Sequence, residues 1–516
     1  MPNQGEPLFA EDPYAAWQRA GQSQLPPPCL PSGRRSFGQG GMACPARLFR
    51  GGGGLIATVV EMEAVAGRLV ADAPRADHNA GSMPAGYTYL SQLMVHDLCP
   101  PTFGKFVYEK PKVMAFRTAL PPPVPRPGLM LDSIFGAEDE GLSPRAITRF
   151  RGSAADPGRP VAVDLDRRFD AERGYDRAIV ADPRNDDTPM LAQLCALFVL
   201  LARDSQRRLA GPMGAQARAG ARALATDIFH RILRKDLLRH LLHPEVAALY
   251  LGRAVPFVDP AAARASAPVP VEATNAVLRF GHAMVRPFYL LNDRSRPPSA
   301  LPDLMRGLRG LAAGRARNAN LWRVDWRLFF GSGAQAQMAR RLGPAVSPGL
   351  VERSALRRDH RIGPELGAWK HDLALMDMAR SVDGGLQRVA DLAEGLTAHF
   401  PGRDWLAFDP AARRGLVVAW LAGTGAAAPA WLAEDPPLAL FSLLEAGAEG
   451  PGCGAGRTLG ALSSLILAEV VLAEIARGQD WLAREGMLRP ARAAIFGTGR
   501  LPASMPALID YLSNPK

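Results

Sequence analysis

Apolar residues recur at helical spacing along most of this chain, but only from about residue 85 onward. The stretch before it, 1–80, is rich in Gly, Pro and Arg, as in QLPPPCLPSGRRSFGQGG and the run Gly51–Gly54. Such segments bury little apolar surface, so an extended arm or loops are expected there, ordered only by packing on a body spanning 81–516. PAGYTYLSQLMVHDL opens with a helix-compatible Pro84 and continues with apolar residues at helical spacing. PPTFGKFVYEKPKVMAFRTALPPPVPRPG then reads as a long Pro-broken loop ending in LMLDSIFG. Residues 187–211 predict a helix with Asp187 or Thr188 as N-cap, Pro189 in the first turn and Gly211 as stop. AGARALATDIFHRILRKDLLRHLLHP predicts another, and ATNAVLRFGHAMVRPFYLL a third that bends or ends near Pro287. Further helices are expected at about 385–399, 411–422, 437–446 and 457–477. Strand signals are short and scattered, and no fixed-period repeat occurs. The pattern predicts a mainly α chain forming one large domain.

Composition changes this picture little. At 516 residues, 47% hydrophobic and 22% charged, the chain has the balance of an ordinary globular protein. No apolar run reaches the roughly 18–20 residues that span a bilayer. The opening residues lack a basic region followed by an apolar one, so no signal peptide and a cytoplasmic address are expected. Cys29, Cys44, Cys99, Cys195 and Cys453 are widely spaced, without CxxC or CxxCH, and read as reduced thiols. The net charge of +11 comes from dispersed Arg without a basic block, which argues against nucleic-acid binding.

Three short stretches stand out for chemistry. In Gln92-Leu-Met-Val-His96-Asp97, Gln92 and His96 lie four residues apart and share a helical face. Asp182-Pro-Arg184-Asn-Asp-Asp187 is a polar turn preceding an apolar helix. In Arg279-Phe-Gly281-His282-Ala-Met-Val-Arg286-Pro287, Arg279 and His282 share a face, and Gly281 leaves room for something flat to approach the backbone. Taken singly, each is more often a core histidine, a capping loop or a packed helix than a site. His230, His240 and His243 make a poor metal set and read as surface residues, and Asp359-His360 reads as a solvated loop pair. No GxSxG elbow, phosphate loop or HExxH stands in a convincing context.

In order along the chain, these stretches resemble the animal-type haem peroxidases, the peroxidase–cyclooxygenase superfamily, and especially its bacterial branch. PAGYTYLSQLMVHD from Pro84 to Asp97 resembles the distal-histidine segment, Asp132-Ser-Ile-Phe-Gly136 the D-S-x-Y-G loop, and DPRNDD the arginine segment. Arg279, Gly281, His282 and Arg286-Pro287 match the proximal R-x-G-H-x-x-x-P. Trp322–Phe330 and, more loosely, LRRDHRIGPELGAW from Leu356 resemble further segments, so the likeness covers roughly residues 75–375. It implies a single helical domain with few short strands and haem between central helices.

By this resemblance His282 is the axial ligand of the haem iron. His96 moves a proton between the peroxide oxygens, Arg184 stabilises charge on the leaving oxygen, and Gln92 orients peroxide or water. Arg279 suits a haem propionate. The implied activity is reduction of hydrogen peroxide with oxidation of a small-molecule donor or halide. A fatty-acid or small-molecule dioxygenase of the same fold, or a haem-binding protein without turnover, are the alternatives. The dioxygenases need a radical-forming Tyr close to haem, and none of the eight Tyr lies in an assignable motif.

Departures from the family pattern sharpen these expectations. Val95 stands where many relatives carry a haem-linking carboxylate, and Thr188 where some carry a sulfonium-forming Met. Asp187 takes the second linking position with a short side chain, so non-covalent haem b is expected. The family's calcium site would use Asp97 and Asp132, but Met130 and Arg126 stand where oxygen ligands are usual. Calcium is therefore not expected to be retained, with an Arg in that loop replacing its charge. The position of the usual proximal Asn falls on Gly367 or Ala368, which predicts that His282 lacks a hydrogen-bond acceptor.

Overall fold

The computed structural model describes residues 65–69, 81–99, 104–109, 113–118, 128–136, 147–149, 161–170, 175–253, 256–257, 269–293, 295, 297–310, 322–332, 336–347, 350, 373–374, 377–378, 381, 386–400, 402–403, 409–422 and 430–514. Helices dominate, as the apolar spacing predicts. Helix α1 (Gly86–Leu98) is buried nearly all round, its polar Thr88, Ser91, His96 and Asp97 included. A single turn, α2 (Asp132–Phe135), follows the loop from residue 128. Helix α3 (Pro189–Met213) starts where Thr188 Oγ1 accepts the Leu191 N–H at 3.3 Å, with Pro189 at its first position. It outlasts Gly211, since glycine inside a helix costs only about 1 kcal/mol, and stops at Gly214, whose φ is +53°.

Helix α4 (Ala217–Ile232) packs along α3, with Phe198 and Phe229 edge to face at 5.4 Å. It continues through one π turn, Leu233–Leu237, into Leu238–Leu241. That wider turn carries Asp236, which accepts from Tyr87 Oη at 2.7 Å and from Met505 N at 2.8 Å. The third predicted helix does not run through. It breaks at Ala276 (φ −131°, ψ −74°) into Val271–Asn275, a 3-10 turn Val277–Phe280 and the short helix α5 (Gly281–Met284). Ala is the best helix former, so this break has no local signature.

The C-terminal helices are α6 (Val389–His399), α7 (Pro410–Leu421), α8 (Leu438–Gly447), α9 (Ala461–Glu485), α10 (Leu488–Phe496) and α11 (Met505–Ser513). Among the described residues the strands form antiparallel pairs. β1 (Gly104–Glu109) pairs with β2 (Val113–Thr118), and β3 (Ile147–Arg149) with β4 (Val163–Leu165). β5 (Arg167–Asp170) pairs with β6 (Tyr175–Ala178), and β7 (Phe288–Tyr289) with β8 (Ser299–Ala300). The first hairpin corrects the expectation of a plain loop there: GKFVYE and VMAFRT carry the β-branched and aromatic residues that favour strands.

The apolar faces merge into one core that draws on α1, α3, α4, α8 and α9. Val65, Ala66 and Leu69 belong to it, so part of the stretch read as an arm is built into the body. Val346 N donates to the Leu69 carbonyl at 2.7 Å and ties that segment in place.

Candidate active site

On α1, every residue is buried except Gln92 and Val95, which flank His96 on one face. That face of the helix is therefore partly open to solvent. His96 Nδ1 lies 2.8 Å from Asn185 Oδ1, and Asn185 Nδ2 donates to the Ser133 carbonyl at 3.0 Å. Because that carbonyl can only accept, the Asn185 amide must present oxygen to the imidazole, so His96 Nδ1 carries the proton. Asn185 is fully buried, and the sequence reading passed over it.

Arg184 sits in the 3-10 turn Pro183–Asp186, whose N-cap is Asp182. Its Nε donates to Asp182 Oδ2 at 2.9 Å and its Nη2 to the same oxygen at 2.6 Å. Nη2 also donates to the carbonyls of His96 (3.2 Å) and Cys99 (2.6 Å), closing the C-terminal end of α1 with a cation. Burial pushes the Asp182 carboxyl up, but the Arg184 guanidinium outweighs it and holds the group below the usual range. Nε and Nη2 are thus committed to structure, while Nη1 makes no hydrogen bond among the described residues. Asp186 braces the turn from outside, accepting from Arg167 Nη1 at 2.6 Å and from Ala178 N at 3.2 Å.

The segment 128–136 joins these parts. Leu129 and Leu131 have φ of +54° and +57°, a strained conformation for residues with a branched side chain. Bonds on every side hold it. Asp97 accepts from Leu131 N and Ser133 N, both at 2.8 Å. His230 Nε2 bonds the Gly128 carbonyl at 2.8 Å, and Glu474 accepts from Gly128 N at 2.7 Å. Burial, with help from Asp132, raises the Asp97 carboxyl to about 6.

Asp132 is paired with Arg222 of α4, both buried, and Arg222 Nη1 donates to the Gly136 carbonyl at 2.8 Å. These residues do not fit a calcium ion. Asp97 is spent on two N–H groups, and a guanidinium already supplies positive charge to Asp132. The guanidinium beside Asp132 is that of Arg222, distant in sequence, and Arg126 lies outside the described residues. Met130 contributes its carbonyl rather than its side chain, accepting from Thr226 Oγ1 at 3.4 Å.

Across the core, α5 carries Gly281 and His282 and packs against α1. His282 Nδ1 lies 2.6 Å from Asp377 Oδ2, a buried carboxylate. This corrects the expectation of a missing acceptor. Gly367 and Ala368 lie outside the described residues, and the acceptor is the carboxylate of Asp377, further along the chain. A carboxylate on Nδ1 fixes a proton there and leaves Nε2 as the nitrogen without one. A cavity beside the pair is lined by Leu69, Arg279, Ala374, Met378 and Leu443. Arg279 Nη2 donates to the Thr274 carbonyl at 2.7 Å, whereas its buried Nε has no partner. A Cβ built on Gly281 would meet no atom within 4 Å.

The donor set suits haem: Arg279 keeps an orphaned buried Nε, His282 presents an oriented imidazole, and no atom lies within 4 Å of a Cβ built on Gly281. Asp187, half-buried, ends the Arg184 turn, and its N–H is 3.3 Å from the Arg184 carbonyl. Trp322–Phe330 acts as packing: Gln193 of α3 donates to the Trp322 carbonyl at 2.8 Å and accepts from Val324 N at 2.9 Å. His230 and His243 are buried, not at the surface, and Asp359-His360 lies outside the described residues. Among the described residues no cluster of His, Cys, Asp or Glu is arranged to hold a bare metal ion. No helix there is long and apolar enough to cross a membrane.

The architecture is mainly helical and matches the fold of a peroxidase and of fatty-acid dioxygenases. The chain superposes on peroxidase A from Dictyostelium discoideum with a TM-score of 0.55 and 14% identity, over 91% of this chain and 92% of that one. It superposes on the fatty acid α-dioxygenase of Oryza sativa with a TM-score of 0.51 and 13% identity, over 87% and 77%. For the α-dioxygenase of Arabidopsis thaliana the values are 0.51 and 13%, over 91% and 77%. No protein-family model and no curated protein matches the sequence. Identity this low shows a shared fold alone.

Proposed function

We propose that the chain is a haem peroxidase that reduces hydrogen peroxide and oxidises a small organic donor or halide. The observation that carries this reading is the His282–Asp377 pair, 2.6 Å apart beside an apolar cavity with an unpartnered arginine Nε. His282 would hold the iron through Nε2, and Arg279 would hold a propionate. Haem, when bound, would supply the redox chemistry that couples peroxide reduction to oxidation of the donor. His96, protonated at Nδ1, takes a proton from peroxide at Nε2 and returns it to the departing oxygen, which leaves as water. Arg184 offers Nη1 to that oxygen, and Gln92 orients peroxide from one turn earlier on α1. Val95 is apolar and cannot form an ester with haem, and Asp187 is short, so haem b would be held without a covalent link.

Titration of the full chain with haem tests this. One haem should bind per chain with a five-coordinate ferric spectrum, peroxide should change that spectrum, and His282→Ala should abolish it. Unaltered binding and spectrum in His282→Ala would mean a different axial ligand. Acidified organic solvent should extract the haem unmodified, and haem found on the denatured chain would refute non-covalent binding.

The dioxygenase neighbours suggest a second reading, in which a fatty acid is oxidised with O2. It would need an oxidisable Tyr in the cavity. Tyr89 and Tyr289 are buried against each other with ring centroids 5.7 Å apart, and neither lines the cavity beside His282. Oxygen uptake on adding palmitic acid to the haem-loaded chain, without peroxide, would favour this reading over the first.

A further inference from the structure

We infer that Asn185 is the positioning residue that fixes the proton of His96 on Nδ1 and keeps Nε2 as the base. This inference rests on the peroxidase reading of the same site. Three links carry it. The His96 Nδ1–Asn185 Oδ1 distance is 2.8 Å, so the two groups share one hydrogen. Asn185 Nδ2 donates to the Ser133 carbonyl at 3.0 Å, which bars the flipped amide, since a flip would set two oxygens against each other. The Ser133 carbonyl is held in turn: its own N–H donates to Asp97 at 2.8 Å, and Asp182 N donates to that carbonyl at 2.9 Å.

The chain of bonds therefore closes on itself. It leaves His96, runs through Asn185 and Ser133 to Asp97, and Asp97 is the next residue along α1. A free imidazole exchanges between its two neutral tautomers, and only the one with a bare Nε2 can accept a proton on that side. Asn185 is fully buried, so no water competes for its oxygen. Arg184, the preceding residue, clamps the His96 carbonyl at 3.2 Å, so two consecutive residues of one turn grip both the backbone and the ring of His96.

The nitrogen resonances of the imidazoles in the full chain, with and without zinc protoporphyrin, read the tautomer directly, with His96 assigned by its loss in His96→Gln. His96 should show a protonated Nδ1 and a bare Nε2. Asn185→Leu, of similar size but without an acceptor, should shift the signal toward the Nε2–H tautomer. Asn185→Asp keeps an oxygen toward Nδ1 and, with its second oxygen protonated, a donor toward the Ser133 carbonyl, and should retain the Nδ1 proton. In the haem-loaded chain, Asn185→Leu should slow the reaction with peroxide by about 10²-fold, the low end of what general acid–base assistance is worth. An Nε2–H tautomer in the wild type, or an unchanged tautomer in Asn185→Leu, overturns the inference. If Asn185→Leu does not fold, the wild-type and Asn185→Asp signals still decide. Failure to bind zinc protoporphyrin would instead count against the haem reading and leave the tautomer measurement intact.

Discussion

Replacing Arg222 with Met tests whether an internal cation holds the frame around His96. The guanidinium pairs with Asp132 and donates to the Gly136 carbonyl, and both charged side chains are about nineteen-twentieths buried, with exposures of 6% and 4%. Removing one member of a buried pair costs about 3–5 kcal/mol, because the other charge stays behind without compensation. Against a total stability of roughly 5–15 kcal/mol for a folded domain, that is a large share. Urea unfolding of the full chain should show a midpoint loss of this order for Arg222→Met at unchanged slope. The double variant Arg222→Met/Asp132→Asn removes the stranded charge and should recover more than half of the loss. Dialysed wild type should hold no calcium, and millimolar calcium should leave its midpoint unchanged. A single-variant cost below about 1 kcal/mol, against the value expected for a buried pair, would refute the reasoning. So would one calcium per chain surviving dialysis.

Two further outcomes follow from other buried carboxylates. Asp377→Asn keeps an oxygen beside His282 Nδ1 but loses the charge, so haem should still bind while its reduction potential rises; a redox titration giving an unchanged potential would refute the pairing. Glu445 is fully buried, accepts from Leu462 N (3.2 Å) and Ser463 N (2.8 Å) at the start of α9, and burial raises its carboxyl to about 7. The folded chain then binds a proton that the unfolded chain releases near 4.5, so this group's contribution is present below that pH and lost as pH rises to about 7. Wild-type stability relative to Glu445→Gln should fall by about 3 kcal/mol across that window, and a flat difference would contradict it.

The helices were readable because apolar spacing and capping are local: Thr188-Pro189 opens α3 as expected. The candidate ligand His282 and the His96 face were readable only through ordered motif resemblance, since neither His is distinctive alone. What escaped notice was set by distance along the chain. Asp377 lies 95 residues from His282, Arg222 lies 90 from Asp132, and Asn185 lies 89 from His96. Each partner is chosen by how helices pack, and no local pattern encodes that. The Arg184 segment was found, but its clamp on the end of α1 was not, because a backbone carbonyl leaves no mark in the residue string. The break at Ala276 was missed for the same reason: tertiary packing overrides helix propensity there.

The central claim, that His96 works as the proton carrier of a haem peroxidase, is tested most directly by rapid mixing of the haem-loaded chain with hydrogen peroxide. The wild-type haem spectrum should change on mixing, and His96→Ala should slow that change by about 10² to 10⁴-fold, the usual worth of general acid–base assistance, with haem binding intact. A wild-type spectrum that peroxide leaves unchanged, or an equal rate in His96→Ala, would contradict the account.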